Sequence, residues 1–172
     1  MASGLGAPNE DADAVLQLLV KLTREGTVIA AFQSTHDKFH RYHSDCLRLA
    51  LAASSDDRPL DELLRTLDAY TELFKEHHHA EDNYLFPALR RVEPALCTVV
   101  DQLVNQHQQL GTQLTTVLAQ AHSLQSGATR KAGSVTLVEE LRKLVAMVDE
   151  HLLFEEDITV PVVSGWTSWP VS

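Results

Sequence analysis

Nine histidines are spread very unevenly through the 172 residues. Most fall in four segments: THDKFHRYHSDCL, EHHHAEDNYLFPAL, LVNQHQQL and DEHLLFEEDITVPVV. Two of these segments set a histidine and a glutamate four residues apart, His77 with Glu81 and His151 with Glu155. On a helix that spacing returns both side chains to one face. Neutral imidazole and carboxylate are the donors that bind divalent transition cations, so the chemistry on offer is metal chemistry.

The surrounding residues say which histidines face inward. Rows at three- and four-residue spacing read Ile29, Phe32, His36, Phe39/His40, His43, Leu47; then Leu63, Leu67, Tyr70, Phe74, His77, Glu81, Tyr84. The next two read Leu96, Val100, Leu103, His107, Leu110, Leu114; then Leu137, Leu141, Leu144, Val148, His151, Glu155, Ile158. Each row is an apolar helical stripe except in one short segment, which carries histidine, or histidine with a glutamate four residues later. Within HHHAED, the row through His78 also passes Asp68, Thr71 and Lys75, which predicts a wetter face and favours His77 and Glu81. Within HLLFEED, Glu155 returns to the face of His151, whereas Glu156 is reached only if the helix is locally distorted. His78, His79, His122 and Asp82 are expected at the surface or behind the ligands. Asp37, Tyr42 and Tyr84 are open between orienting a ligand and ordinary helix chemistry.

The elements that must carry these residues are four long amphipathic helices. Residues 1–12, with Gly4, Gly6 and Pro8, read as a tail. The first helix is expected from about Asp13 to Ala53, with Gly26 as a candidate break, and the SSDDRP turn follows. A second runs from about Leu60 to Val92. Glu93-Pro94 separates it from a third, about Ala95 to Leu124, because proline suits a first helical turn and not an interior. A polar loop, Ser126–Ser134, precedes a fourth helix from about Val135 to Thr159, with Pro161 and Gly165 as stops. Residues 13–163 would then form one domain and 164–172 a short tail in which Trp166 and Trp169 cap the bundle end. There is no period-2 alternation, so the fold class is all-α, an up-down-up-down antiparallel four-helix bundle. Counted from each turn at about 1.5 Å per residue, His36, His77, Glu81, His107, His151 and Glu155 reach one level to within about a turn.

Composition narrows the partners. Fourteen Lys and Arg against 24 Asp and Glu give a formal charge of −10, which disfavours nucleic acid and anionic membrane. No apolar run reaches the roughly 20 residues of a membrane span. The start lacks the basic and apolar parts of a signal peptide. Cys46 and Cys97 form no CxxC pair and are read as small apolar fillers in a reduced cytoplasmic compartment. No phosphate loop, HExxH helix or GxSxG elbow is present. A lone core histidine is ordinarily a hydrogen-bonded packing residue. Several ionisable groups at one dry level are costly, however, unless a polar network or a metal compensates them. Metal is the better compensation, because its charge cancels that of the carboxylates.

The order H…HxxxE…H…HxxxE is not that of ferritin-like carboxylate proteins, which need Glu-x-x-His on two helices; here Glu76-His79 is off the inward row. Over roughly residues 30–163 the chain instead resembles the hemerythrin-like (HHE cation-binding) domain family, on the four segments quoted above. The resemblance implies a left-handed bundle holding two iron ions with an oxo or hydroxo bridge. His36 and His77 would bind one iron and His107 and His151 the other, with Glu81 and Glu155 bridging. Oxygen-carrying hemerythrins place a second histidine four residues from the first on the third helix. Here those positions are Leu103 and Gly111, so that iron is expected to be one protein ligand short. On the first helix His40 and His43 are extra, and His40 is expected as an added ligand or as a catalytic proton donor. The function expected is binding, sensing or reaction with O2, hydrogen peroxide or nitric oxide. The alternative is a metal-responsive interaction module, holding iron or zinc without catalysis, and a third reading is a metal-free polar layer.

Overall fold

The buried positions of every long helix recur at three- and four-residue steps, and that spacing decides the architecture. The structure is a computed structural model that describes residues 28–53, 57–125 and 130–166. Its elements are α1 (Val28–Ala52), α2 (Asp57–Ala80), a π turn (Glu81–Leu85), α3 (Phe86–Val92), a 3-10 turn (Pro94–Leu96), α4 (Cys97–Gln125) and α5 (Arg130–Val163). The α2, π and α3 segments make one continuous rod, so four rods are present among the described residues. The expected tail over 1–12, the helical stretch over 13–27 and Trp169 lie outside the described residues.

The rods run antiparallel around a square. Between α1 and α2, His36 meets His77 while His43, two turns on, meets Tyr70 two turns back. Between α1 and α5 the matching pairs are His36 with Glu156 and His43 with Asp149. Between α4 and α5 they are His107 with His151 and Gln113 with Glu140. The fourth seam pairs Asp82 with His107 and Arg90 with Asp101. An all-α up-down-up-down bundle results, as the stripes predict.

Two apolar clusters fill it. The larger includes Phe39, Leu63, Leu67, Tyr70, Phe74, Leu110, Leu114, Leu141, Leu144, Val148 and Leu152. The smaller comprises Leu85, Phe86, Leu89, Val100, Leu103 and Val163, with Phe32 and Trp166 partly buried against it. His36, His77, His78, Glu81, His107 and Glu155 stand between residues of the two clusters along their rods, with His151 beside Leu152 at the edge of the larger one, so this polar level is closed off above and below by packed hydrocarbon.

Three local departures from the sequence expectation have identifiable causes. The second rod widens into a π turn at Glu81–Leu85, where the Phe86 N–H donates to the Glu81 carbonyl five residues back. Pro87 follows directly; it lacks an N–H and crowds the carbonyl four residues earlier, and the wider turn relieves both. The extra residue moves the inward face from the expected Tyr84 to Leu85 and Phe86, both buried. Next, α5 begins at Arg130, not Val135. Gly133, read as a loop residue, permits close helix packing, since a Cβ there would stand 2.5 Å from Leu124 Cδ2. Finally, α5 runs through Pro161 to Val163. Proline there removes one donor, but the carbonyl it would serve belongs to exposed Asp157, where water can substitute. The buried row beyond Glu155 accordingly continues through Thr159 and Val163, not Ile158.

Candidate metal centre

Seven side chains from all four rods converge between the two apolar clusters. His36 comes from α1; His77, His78 and Glu81 from the second rod; His107 from α4; His151 and Glu155 from α5. All seven are buried. They form two groups that could each hold a metal ion: His36, His77, Glu81 and Glu155, and His78, Glu81, His107 and His151. Within each group the donor atoms all lie within 4.8 Å of one another. Glu81 belongs to both. Glu155 Oε2 also stands 3.9 Å from His151 Nε2, across the division between them.

Hydrogen bonds around the outside fix which nitrogen of each ring faces in. His36 Nδ1 donates to Glu156 Oε1 at 2.6 Å, His107 Nδ1 to Asp82 Oδ1 at 2.9 Å, and His151 Nδ1 to Gln106 Oε1 at 2.9 Å. With Nδ1 carrying the proton, the Nε2 lone pair points to the centre. This is the usual arrangement behind a metal-bound histidine. His107 and His151 thus bring two Nε2 atoms to 3.2 Å from each other. Two lone pairs facing at that distance repel, but they suit two nitrogens sharing one cation at about 2.0–2.1 Å each.

The carboxylates give a further test of fit. His36 Nε2, His77 Nε2, His78 Nδ1 and both oxygens of Glu81 and of Glu155 are buried without a hydrogen-bond partner. His77 Nε2 comes within 2.9 Å of Glu81 Oε1, yet neither makes a properly directed hydrogen bond. Burial holds the Glu81 carboxyl well above its ordinary range, and burial followed by the charge of Glu81 does the same to Glu155. Burial likewise lowers His36 to about 4, and His77 and His151 to about 3, with neighbouring histidines pushing the same way. Buried neutral imidazoles beside unsatisfied carboxyls are costly alone. A pair of cations would supply the missing partners and remove the desolvation problem, so the donor set fits the group.

The structure brings together all six residues singled out as ligands, and it adds His78. The expectation of a wet face for His78 is corrected: it is buried, stacked on His107 at 3.8 Å between ring centroids and edge-on to Phe74 at 4.0 Å. In a square bundle the second rod touches both α1 and α4, so its inward face is wide enough for two consecutive residues. His77 turns to α1 and His78 to α4. Phe74, one turn before His78, was the available signal. The group at α4 and α5, expected to be one ligand short, therefore contains three histidines. Glu155 is the fully buried member of the EED run, while Glu156 is one-third exposed and bonded to His36.

His40 lies elsewhere. Its side chain is 56% exposed and approaches Asp149 of α5, in a separate group with His43. His79 and His122 are exposed, and no described helix is long and apolar enough to cross a membrane. Cys46 is buried, with its thiol pushed up to about 12 by burial, and Cys97 is partly buried; both are free.

Comparison with curated proteins and with solved structures gives no significant match. Comparison with family models gives a match to the hemerythrin HHE cation binding domain over residues 27–163, a span that includes every residue of the centre. The four rods, the layer of histidine and glutamate and this match lead to one assignment: the chain belongs to the hemerythrin HHE cation-binding family.

Proposed function

We propose that the protein is a non-haem di-iron protein that binds, senses or reacts with O2, hydrogen peroxide or nitric oxide. The observation that carries this reading is the sharing of Glu81 between two groups of buried donors, which suits a carboxylate-bridged pair of metal ions. Iron bound there would supply redox chemistry and positions open to a small exogenous ligand, because four protein donors fall short of an octahedral set.

The chain's own contributions follow from the surroundings. Asp82, Glu156 and Gln106 accept the Nδ1 protons of His107, His36 and His151, which sets the tautomer and aims each Nε2 lone pair inward. A carboxylate behind a ligating imidazole also makes it a stronger donor. Leu103, Phe86 and Leu89 on one side, and Phe39, Leu110 and Val148 on the other, keep bulk water out. Only small molecules suit so closely packed a site.

The test is to express the protein in iron-replete medium, count metal per chain and record the visible spectrum with O2, peroxide or nitric oxide. Two irons per chain retained after exhaustive desalting, and a spectrum that responds to at least one of these ligands, is the expected result. Stoichiometric zinc and a silent spectrum would overturn the reading in favour of a metal-responsive interaction module.

A further inference from the structure

The geometry points to a third, mononuclear site for a divalent first-row transition cation, formed by His40 and His43 of α1 with Asp149 of α5. These residues lie at the α1–α5 seam, with His43 two turns from His36, roughly 10 Å along the helix. His43 Nδ1 stands 3.1 Å from Asp149 Oδ1, and His40 Nδ1 stands 3.3 Å from the same oxygen. All three donor atoms lie within 4.8 Å of one another, and none of the three residues belongs to the central groups.

Two observations separate this group from an ordinary surface ion pair. His43 Nδ1 and Asp149 Oδ1 are buried and make no directed hydrogen bond despite their short separation. That leaves a lone pair on each with nothing to receive it, as among the central donors. The opposite edge of the His43 ring is fixed, with Nε2 at 3.3 Å from the hydroxyl of buried Tyr70. A ligating histidine characteristically spends its second nitrogen on such a hydrogen bond, which sets its tautomer and orientation. With Nε2–H donating to the tyrosine oxygen, the Nδ1 lone pair is left facing Asp149.

Two imidazoles and one carboxylate are the donors of borderline cations such as Zn2+, Co2+ and Fe2+, and they do not favour the all-oxygen cations Mg2+ and Ca2+. The His40 and Asp149 side chains are 56% and 45% exposed, so the remaining positions would be taken by water and the ion would exchange with solvent. The ion would also tie α1 to α5 beside the central layer.

This inference does not rest on iron at the centre, and its test is built to be independent of it. Metal-free full-length protein is titrated with Co2+, and separately with Zn2+ and Mg2+, with bound metal counted by equilibrium dialysis. The same is done for His40→Ala, Asp149→Ala and the double variant. Both side chains are substantially exposed, so the variants are expected to fold, and their helical content is checked. Wild type should bind one more equivalent of Co2+ or Zn2+ than the double variant. Each single variant should weaken that equivalent at least about tenfold and leave the others unchanged. Thermal unfolding of wild type should shift upward as the extra equivalent binds, and that shift should vanish in the double variant. An equal number of equivalents in wild type and double variant overturns the site, whatever the centre holds. Binding of Mg2+ at that equivalent as tightly as Zn2+ does the same.

Discussion

Glu156 and Asp82 bracket the centre from opposite sides, and each answers to one of its two groups. Glu156 holds His36, in the group with His77, Glu81 and Glu155; Asp82 holds His107, in the group with His78, Glu81 and His151. Removing the carboxylate behind a ligating histidine ordinarily weakens metal binding about 10–100-fold, or about 1.4–2.7 kcal/mol. The 2.6 Å contact of Glu156 argues for a strong bond, but its one-third exposed side chain lets water replace a deleted carboxylate. The expected cost of Glu156→Ala is therefore at the lower end, about tenfold in one of two binding constants. Asp82→Ala should cost a similar factor in the other constant, since Asp82 is comparably exposed. The assay is anaerobic titration of metal-free protein with Fe2+ or Co2+, fitted to two central constants, with each single variant compared against wild type. Glu156→Gln, which keeps an oxygen for the His36 N–H, should recover part of the loss. The reasoning is refuted if both variants weaken the same constant, if each weakens both by one common factor, or if neither moves either. The first two results would mean that the outer carboxylates act through general packing, and the third that His36 and His107 are not ligands.

Two further outcomes follow from the same geometry. Glu81→Ala should lose both central equivalents, whereas His78→Ala should lose or weaken one, because Glu81 belongs to both groups and His78 to a single one; equal losses in the metal-content measurement would contradict the division. The buried carboxyls predict a pH effect of definite sign. Burial holds Glu81 and Glu155 well above the ordinary carboxyl range in the metal-free fold, so loading should release the protons they retain and apparent affinity should rise with pH. His36, His77 and His151 titrate near 4, 3 and 3 in the fold against 6.5 unfolded, so the unfolded chain takes up protons first. That part of the metal-free protein's stability is lost as pH falls through 6.5 toward about 4 for His36 and about 3 for His77 and His151, while the glutamates act oppositely, losing stability as pH rises above 4.5. Calorimetric titration in buffers of unlike ionisation enthalpy reads the released protons, and heats independent of buffer would refute the assignment.

Much of this was legible in the residues because the side chains that carry the centre sit on the stripes that build the bundle. His107 interrupts Val100, Leu103, Leu110 and Leu114 at unbroken spacing, and His151 with Glu155 interrupts Leu141, Leu144 and Val148 in the same way. Depth was legible too, since antiparallel rods of known rise bring the interruptions level. What the stripes could not give was breadth. A single row assigns one residue per turn, but a rod touching two neighbours buries two consecutive residues, and so His78 was placed on the wrong face. Nor do the rows foresee a change of pitch. Pro87 announces a disturbance, but the π turn that absorbs it lies upstream, and it carries Leu85 inward where the row names Tyr84. The position of His40 against Asp149 was invisible because it depends on a contact between distant helices.

The near-repeat within the centre explains why two neighbouring acids are needed on each of two rods. His77, Glu81, Asp82 and Pro87 have the same spacing as His151, Glu155, Glu156 and Pro161. In both, the first acid is buried at the centre. The second, about 100° further round the helix, reaches the histidine of a different rod: Asp82 reaches His107 on α4, and Glu156 reaches His36 on α1. Each motif therefore supplies a histidine and a carboxylate of its own and orients the histidine of a rod that contributes no carboxylate to the centre. The repeat breaks at one place, where His78 follows His77 but Leu152 follows His151. That substitution divides the donors unequally, two histidines and two glutamates in one group against three histidines and one glutamate in the other. Imidazole is neutral and carboxylate is not, so under the proposed di-iron reading the first group would favour the higher oxidation state of a bound iron and the second the lower. The two donor groups would thus present unlike environments to the cations they hold, an asymmetry set by one residue on the second rod.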